Sequence, residues 1–246
     1  MSNPVLNEGM FQKTSYVSST DRMTTNGAVM KTLILGLVFS IAAFLVYGYL
    51  DANIQDNQIP FIPYVVVPSI AAFVVALIIS FKPATAPFLS VIYAVLQGVA
   101  VAAISFVFNA AYNGIVLEAV VCTMIVFFLM LFLFRAGIIR ATEKFKAVMV
   151  TVLSAITVFY LVMFVISFFG ITPSWFYGSS LISIGISVAV IIAAALSLIL
   201  DFDFIVEGEN SGLPKYMEWY AAFGLIVTII WLYLEILRLL AKLKDR

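Results

Sequence analysis

The sequence contains no histidine and a single cysteine, and only 11% of its 246 residues are charged. The missing histidine excludes zinc proteases of the HExxH kind, serine hydrolases with a histidine base and imidazole proton relays. Any proton chemistry must therefore use carboxylates, lysine or tyrosine. One cysteine, Cys122, cannot form an intramolecular disulfide, and its place inside an apolar run reads as a small core residue. Charge of one sign is lacking too: 13 basic residues balance 13 acidic ones, so no nucleic-acid partner is expected.

What is present is apolar. Hydrophobic residues make up 64% of the chain, arranged in runs of about 20 separated by short polar punctuation. About 20 residues is the length a helix needs to cross a ~30 Å hydrocarbon layer. Barrel strands would alternate apolar and polar residues, whereas Ile115 to Phe134 is apolar on every face. The fold expected is an all-α integral membrane protein, a seven-transmembrane-helix bundle. Its spans are read at Thr32 to Leu50, Phe61 to Phe81, Pro87 to Phe108, Ile115 to Phe134, Ala147 to Phe169, Ser179 to Leu200 and Trp219 to Leu240. Residues 1–27 read as a mobile polar tail rich in Ser, Thr and Asn, and 28–246 as one transmembrane domain.

Lysine and arginine set the orientation. Lys13, Arg22, Lys31, Lys82, Arg135, Arg140, Lys144, Lys146 and Lys215 fall in the tail and the even connections, nine against none in the odd ones. The N-terminus is therefore expected in the cytoplasm, with 51–60 and 171–178 facing out. Seven spans place Arg238, Lys242, Lys244 and Arg246 outside, against that pattern, and a last segment that does not fully cross would remove the conflict.

An ionisable group inside a bilayer is costly and marks function by default. The candidates are Glu118 one turn into span four, Asp201 and Asp203 ending span six, and Glu235 with Arg238 in the last turns of span seven. Headgroup-facing interfacial positions are the plain alternative for each. Asp201 and Asp203 point some 200° apart on a helix, so they face different partners. Asp201 shares its face with Ser183, Ser187, Ala194 and Ser197, a small-residue stripe that permits close helix approach or leaves room for water. Thr228, Trp231, Glu235 and Arg238 share a face of span seven, where Arg238 can half neutralise Glu235.

The segments Val116-Leu117-Glu118-Ala119, Leu200-Asp201-Phe202-Asp203 and Leu232-Tyr233-Leu234-Glu235 resemble the Bax inhibitor-1 family of seven-helix membrane proteins, in its bacterial branch. Met23-Thr24-Thr25-Asn26-Gly27 and Glu218-Trp219-Tyr220-Ala221-Ala222-Phe223-Gly224 look like the subgroup called Bax inhibitor-1-like. The resemblance implies a pH-sensitive calcium leak in which carboxylates on the sixth and seventh helices share a proton, near a basic residue ending the second helix. Asp201 matches the first carboxylate, Glu235 stands where the family has an aspartate, and Lys82 is the basic candidate in place of arginine. A lysine there lacks the bidentate fork of arginine.

Two carboxylates in a poorly solvated site cannot both ionise cheaply, so they hold one proton between them. Losing it drives the helices apart and exposes the hard oxygen ligands that Ca2+ prefers. On this reading Asp201 and Glu235 are also the possible Ca2+ ligands, Glu118 and Asp203 line the ion path, and Ca2+ is the transported ion, with no resident cofactor. Register arithmetic opposes a direct pair. With the hairpin tip at Gly208 to Pro214, Asp201 is about 10 Å from its helix end but Glu235 about 31 Å from its own. Either span seven bends or unwinds, or the site is divided between a cytoplasmic acid and an outer acidic pair that includes Glu118.

The rival to a leak is a non-conducting regulator that binds other membrane proteins, such as a membrane protease. An intramembrane enzyme is not expected. No GxGD motif surrounds Asp201 or Asp203, a rhomboid needs a histidine, and span seven has no central lysine for retinal.

Overall fold

The computed structural model describes residues 22–53, 62–170 and 178–246. Of the connections 51–60 and 171–178, expected to face outward, 54–60 and 171–177 lie outside the described residues, as do Phe61 and tail residues 1–21. Seven helices in that structure are long and apolar enough to cross a membrane. In chain order they are α1 Thr25–Asn53, α2 Val67–Phe81, which reaches spanning length as Pro63–Phe81 with the helical turn before it, α3 Ala86–Ala111, α4 Ile115–Arg135, α5 Glu143–Phe168, α6 Leu181–Asn210 and α7 Met217–Lys244. They run alternately up and down, so one end of the bundle gathers the start of α1 and the α6–α7 hairpin. The other, the far end, gathers the C-terminus of α7.

Proline and hydroxyl residues set several of the boundaries. A π-helical turn, Ile62–Val66, precedes α2, and prolines occupy the first turns of α2 and α3, where a missing N–H costs nothing. Thr142 and Ser180 cap α5 and α6 by accepting from Phe145 N and Ser183 N. Helices outrun the apolar segments where they leave the membrane: α6 continues ten residues past Leu200, and α1 begins seven before Thr32. Hydropathy marks the lipid layer, whereas backbone hydrogen bonding continues beyond it.

The core gathers around α7, which packs against α1, α3, α4 and α6. α1 and α3 approach so closely that a Cβ on Gly98 would stand 2.8 Å from the Ala42 Cβ, the small-residue contact that membrane helices use in place of a hydrophobic drive. α5 is peripheral and packs chiefly on α6. Large apolar side chains such as Phe44, Phe128 and Phe164 point outward, as a lipid solvent allows. Cys122 does so too: it is exposed on α4 rather than in the core. A helix apolar all round carries no periodic signal to tell its lipid face from its packed face.

The polar start of the chain also differs from expectation. Met23 is 1% exposed, its N–H donates to Leu213 O at 2.7 Å, and Arg22 forms a β-bridge with Pro214. The polar stretch read as tail thus ends in a packed segment from Arg22 onward.

Candidate functional site

Asp201 lies on α6 where that helix meets α7. The small-residue stripe sharing its face is buried, with Ser183, Ser187, Ala194 and Ser197 all inside the bundle. Opposite it α7 presents Gly224, where a Cβ would stand 3.8 Å from Asp201 Oδ1, and Thr228 one turn on. The Thr228 hydroxyl also donates to Gly224 O at 3.2 Å. Asp201 as a residue is half-buried, but its Oδ2 is closed off from solvent and has no hydrogen-bond partner among the described residues. An ionised carboxylate oxygen without a donor costs several kcal/mol. Charging this group therefore requires something to enter: water, a cation, or a rearranged helix contact.

Glu235 stands eleven residues beyond Gly224 on the same unbroken helix, about 16 Å along its axis. α7 does not unwind, and Asp201 and Glu235 are not brought together. Glu235 is 2% exposed, and its Oε1 accepts from Tyr160 OH and from Arg238 Nη1, each at 2.9 Å. Arg238, half exposed, is the neutralising partner that helical spacing suggested. These residues line a cavity of about 420 Å³ toward the far end, walled also by Ser187, Lys242 and Asp245. Lys242 Nζ donates to Ser187 Oγ at 2.9 Å, and Tyr112, just beyond α3, donates to Asp245. That hydrogen bond holds the Tyr112 phenol above its usual range.

The cavity stops short of Asp201. Leu198 of α6 and Leu232 of α7, both fully buried, stand at the levels between, beside Ala194 and Ser197 of the small-residue stripe. Asp201 and Glu235 thus lie in separate surroundings along the α6–α7 contact, with packed residues between their levels. A family model described as Bax inhibitor 1 like matches residues 3–245. The chain belongs to that family. No curated protein sequence and no solved structure matches it.

The other residues singled out from the sequence are spread over both ends. Lys82 caps the C-terminus of α2, exposed and without an ion pair among the described residues. Asp203 faces away from Asp201, as the 200° offset requires, and binds Lys146 of α5 at 2.9 Å. The same lysine holds Glu207 at 3.0 Å, pinning α5 to α6 at the hairpin end. Glu118 is at the far end, but in contact with Lys244 at 2.8 Å. Among the described residues no group of three or more histidine, cysteine or acidic side chains could hold a metal ion.

One buried acid escaped sequence reasoning as a site. Glu218, in the first turn of α7, is 1% exposed. Its Oε1 accepts from Thr24 N at 3.1 Å and Thr24 Oγ1 at 3.0 Å, and its Oε2 lies 3.2 Å from Lys31 Nζ. The signal was there in two halves, since Met23–Gly27 and Glu218–Gly224 are the two subgroup motifs. Nothing local could join partners 194 residues apart.

Proposed function

We propose that this Bax inhibitor-1-like protein is a proton-gated leak for calcium across the membrane, held closed in the conformation described, with Asp201 as the proton-sensitive group. The supporting observation is the buried, unpartnered Oδ2 of Asp201 at the α6–α7 contact. Protonated, the carboxyl sits there without charge and the helices close on it. Deprotonated, it needs a donor or a cation, and the neighbouring backbone at Gly224 offers little bulk to resist parting of the helices. Opening joins Asp201 to the Glu235 cavity by parting α6, along Ala194, Ser197 and Leu198, from α7 at Leu232. Hard carboxylate, phenol and hydroxyl oxygens then line the route, the ligands that Ca2+ prefers. Arg238, half exposed, can swing toward headgroups and release Glu235 to a passing ion.

The basic residues gathered at the hairpin end support a cytoplasmic position for that end. In a Cys122→Ala background, a membrane-impermeant thiol reagent should fail to reach a Lys144→Cys variant from outside intact cells. The gate is tested by calcium flux in proteoliposomes at two pH values. Asp201→Asn should flatten the pH dependence, since the amide cannot acquire the charge that drives opening. A full pH response in that variant sinks the gate. A closed bundle is also what a non-conducting regulator of membrane proteins would present, and absence of flux from the pure wild-type protein at every pH favours that reading.

A further inference from the structure

The segment Arg22–Lys31 is tied to the α6–α7 hairpin by contacts of several independent kinds. Arg22 bridges Pro214, Met23 N–H donates to Leu213 O, and the Met23 side chain lies against Gly208, where an added Cβ would meet its Sδ at 2.8 Å. Thr25 Oγ1 donates to Glu209. Thr24 holds Glu218 Oε1 by two hydrogen bonds, and Lys31 faces Oε2 as an ion pair at 3.2 Å, that oxygen having no hydrogen-bond donor among the described residues; Lys31 also stands 5.9 Å from the Trp219 ring centre. The fit leaves no slack at Gly27, where a Cβ would come within 2.0 Å of Glu218 Oε1.

Depth gives this clamp its meaning. Glu218 is six residues from Gly224, about 9 Å along α7, and Gly208 is seven from Asp201, about 10 Å along α6. The segment therefore crosses the α6–α7 contact one and a half to two turns from Asp201, on the side opposite the cavity. Ordinary helix docking in a membrane relies on apolar shape. A seat made from a buried carboxylate, a lysine and backbone N–H groups is instead strong when whole and costly when half broken, which suits a catch with two positions.

We propose that Arg22–Lys31 is an inhibitory strap that closes the hairpin end of the α6–α7 contact over Asp201, with Glu218 as its catch. The inference rests on the gate reading for what lies beneath the strap, and it is read out separately from conduction. Hydrogen exchange of the protein in lipid nanodiscs reports opening whether or not ions flow. Gly27→Ala, which drives a methyl group into the Glu218 carboxylate, should speed exchange on the order of tenfold both in 22–31 and in α6–α7 at 198–228. In a Cys122→Ala background, the pair Arg22→Cys and Pro214→Cys places two thiols across the β-bridge, at a spacing a disulfide can span. Oxidation should slow exchange in 198–228 and reduction should restore it, a comparison within one folded protein that needs no release variant.

Unchanged exchange at 198–228 between the oxidised and reduced forms overturns the strap, as does faster exchange confined to 22–31 in Gly27→Ala. Calcium flux that falls on oxidation and returns on reduction supports the strap and the leak together. Flux absent in wild type and every variant, with exchange still responding, supports the strap and overturns the leak reading on its own.

Discussion

Glu218 and Glu235 are the same residue type on the same helix, 1% and 2% exposed, and they live in opposite surroundings. Glu218 is enclosed by the start of the chain, with Gly27 leaving no room around it. Glu235 borders a cavity of about 420 Å³, and its cation is half exposed. Burial alone therefore does not say what a buried acid does. A carboxylate enclosed between two chain segments fixes them together, whereas one that borders a cavity beside a half-exposed cation has room to change partners.

The sharpest way to break that comparison is to remove each cation. Lys31→Met leaves Glu218 buried without its counter-charge and should cost about 3 kcal/mol of stability, the range for half of a buried pair. Arg238→Met should cost about 1 kcal/mol or less, because Arg238 is half exposed and its pairing is partly screened. Unfolding in mixed micelles measures both, and equal losses would mean that burial, not surroundings, sets the value.

Tyr160→Phe removes the hydroxyl that reaches Glu235 from the peripheral helix α5. The expected loss is about 1 kcal/mol, the usual net worth of a hydrogen bond. Faster hydrogen exchange in 150–168 should accompany it, because the bond ties α5, which packs chiefly on α6, to α7. If α5 is unaffected, Glu235 does not hold it.

The smallest effect is a coupling near zero. Asp201→Asn and Glu235→Gln should add within about 0.5 kcal/mol in unfolding free energy, since the two carboxylates stand at levels about 16 Å apart. A coupling above that would show that the acids meet in a conformation different from this one. Glu218→Gln and Glu235→Gln, about 25 Å apart along α7, should add equally well.

Much of this was legible because lipid imposes a simple rule. Runs of about 20 apolar residues must become helices, so the seven helices and the start of α4 at Ile115 followed from hydropathy. Helical angle separated Asp201 from Asp203, which indeed face α7 and α5. Residue counting gave Asp201 and Glu235 different depths unless α7 bent or unwound, and α7 is unbroken; that Gly224 is the residue facing Asp201 came only from the structure. The lipid-facing position of Cys122 was beyond such reasoning, since α4 is apolar on all sides.

By itself the sequence determined the membrane class, the number of helices, their alternation and the depth of each acid along its own helix, because these depend on residue type and a rise of about 1.5 Å per residue. Tertiary structure alone decided which acids are gripped and which are poised. Thr24 and Glu218 are 194 residues apart, and Tyr160 and Glu235 are 75 apart. Whether a carboxylate finds a donor, a cation or an empty space is settled by helix packing, which no local pattern encodes.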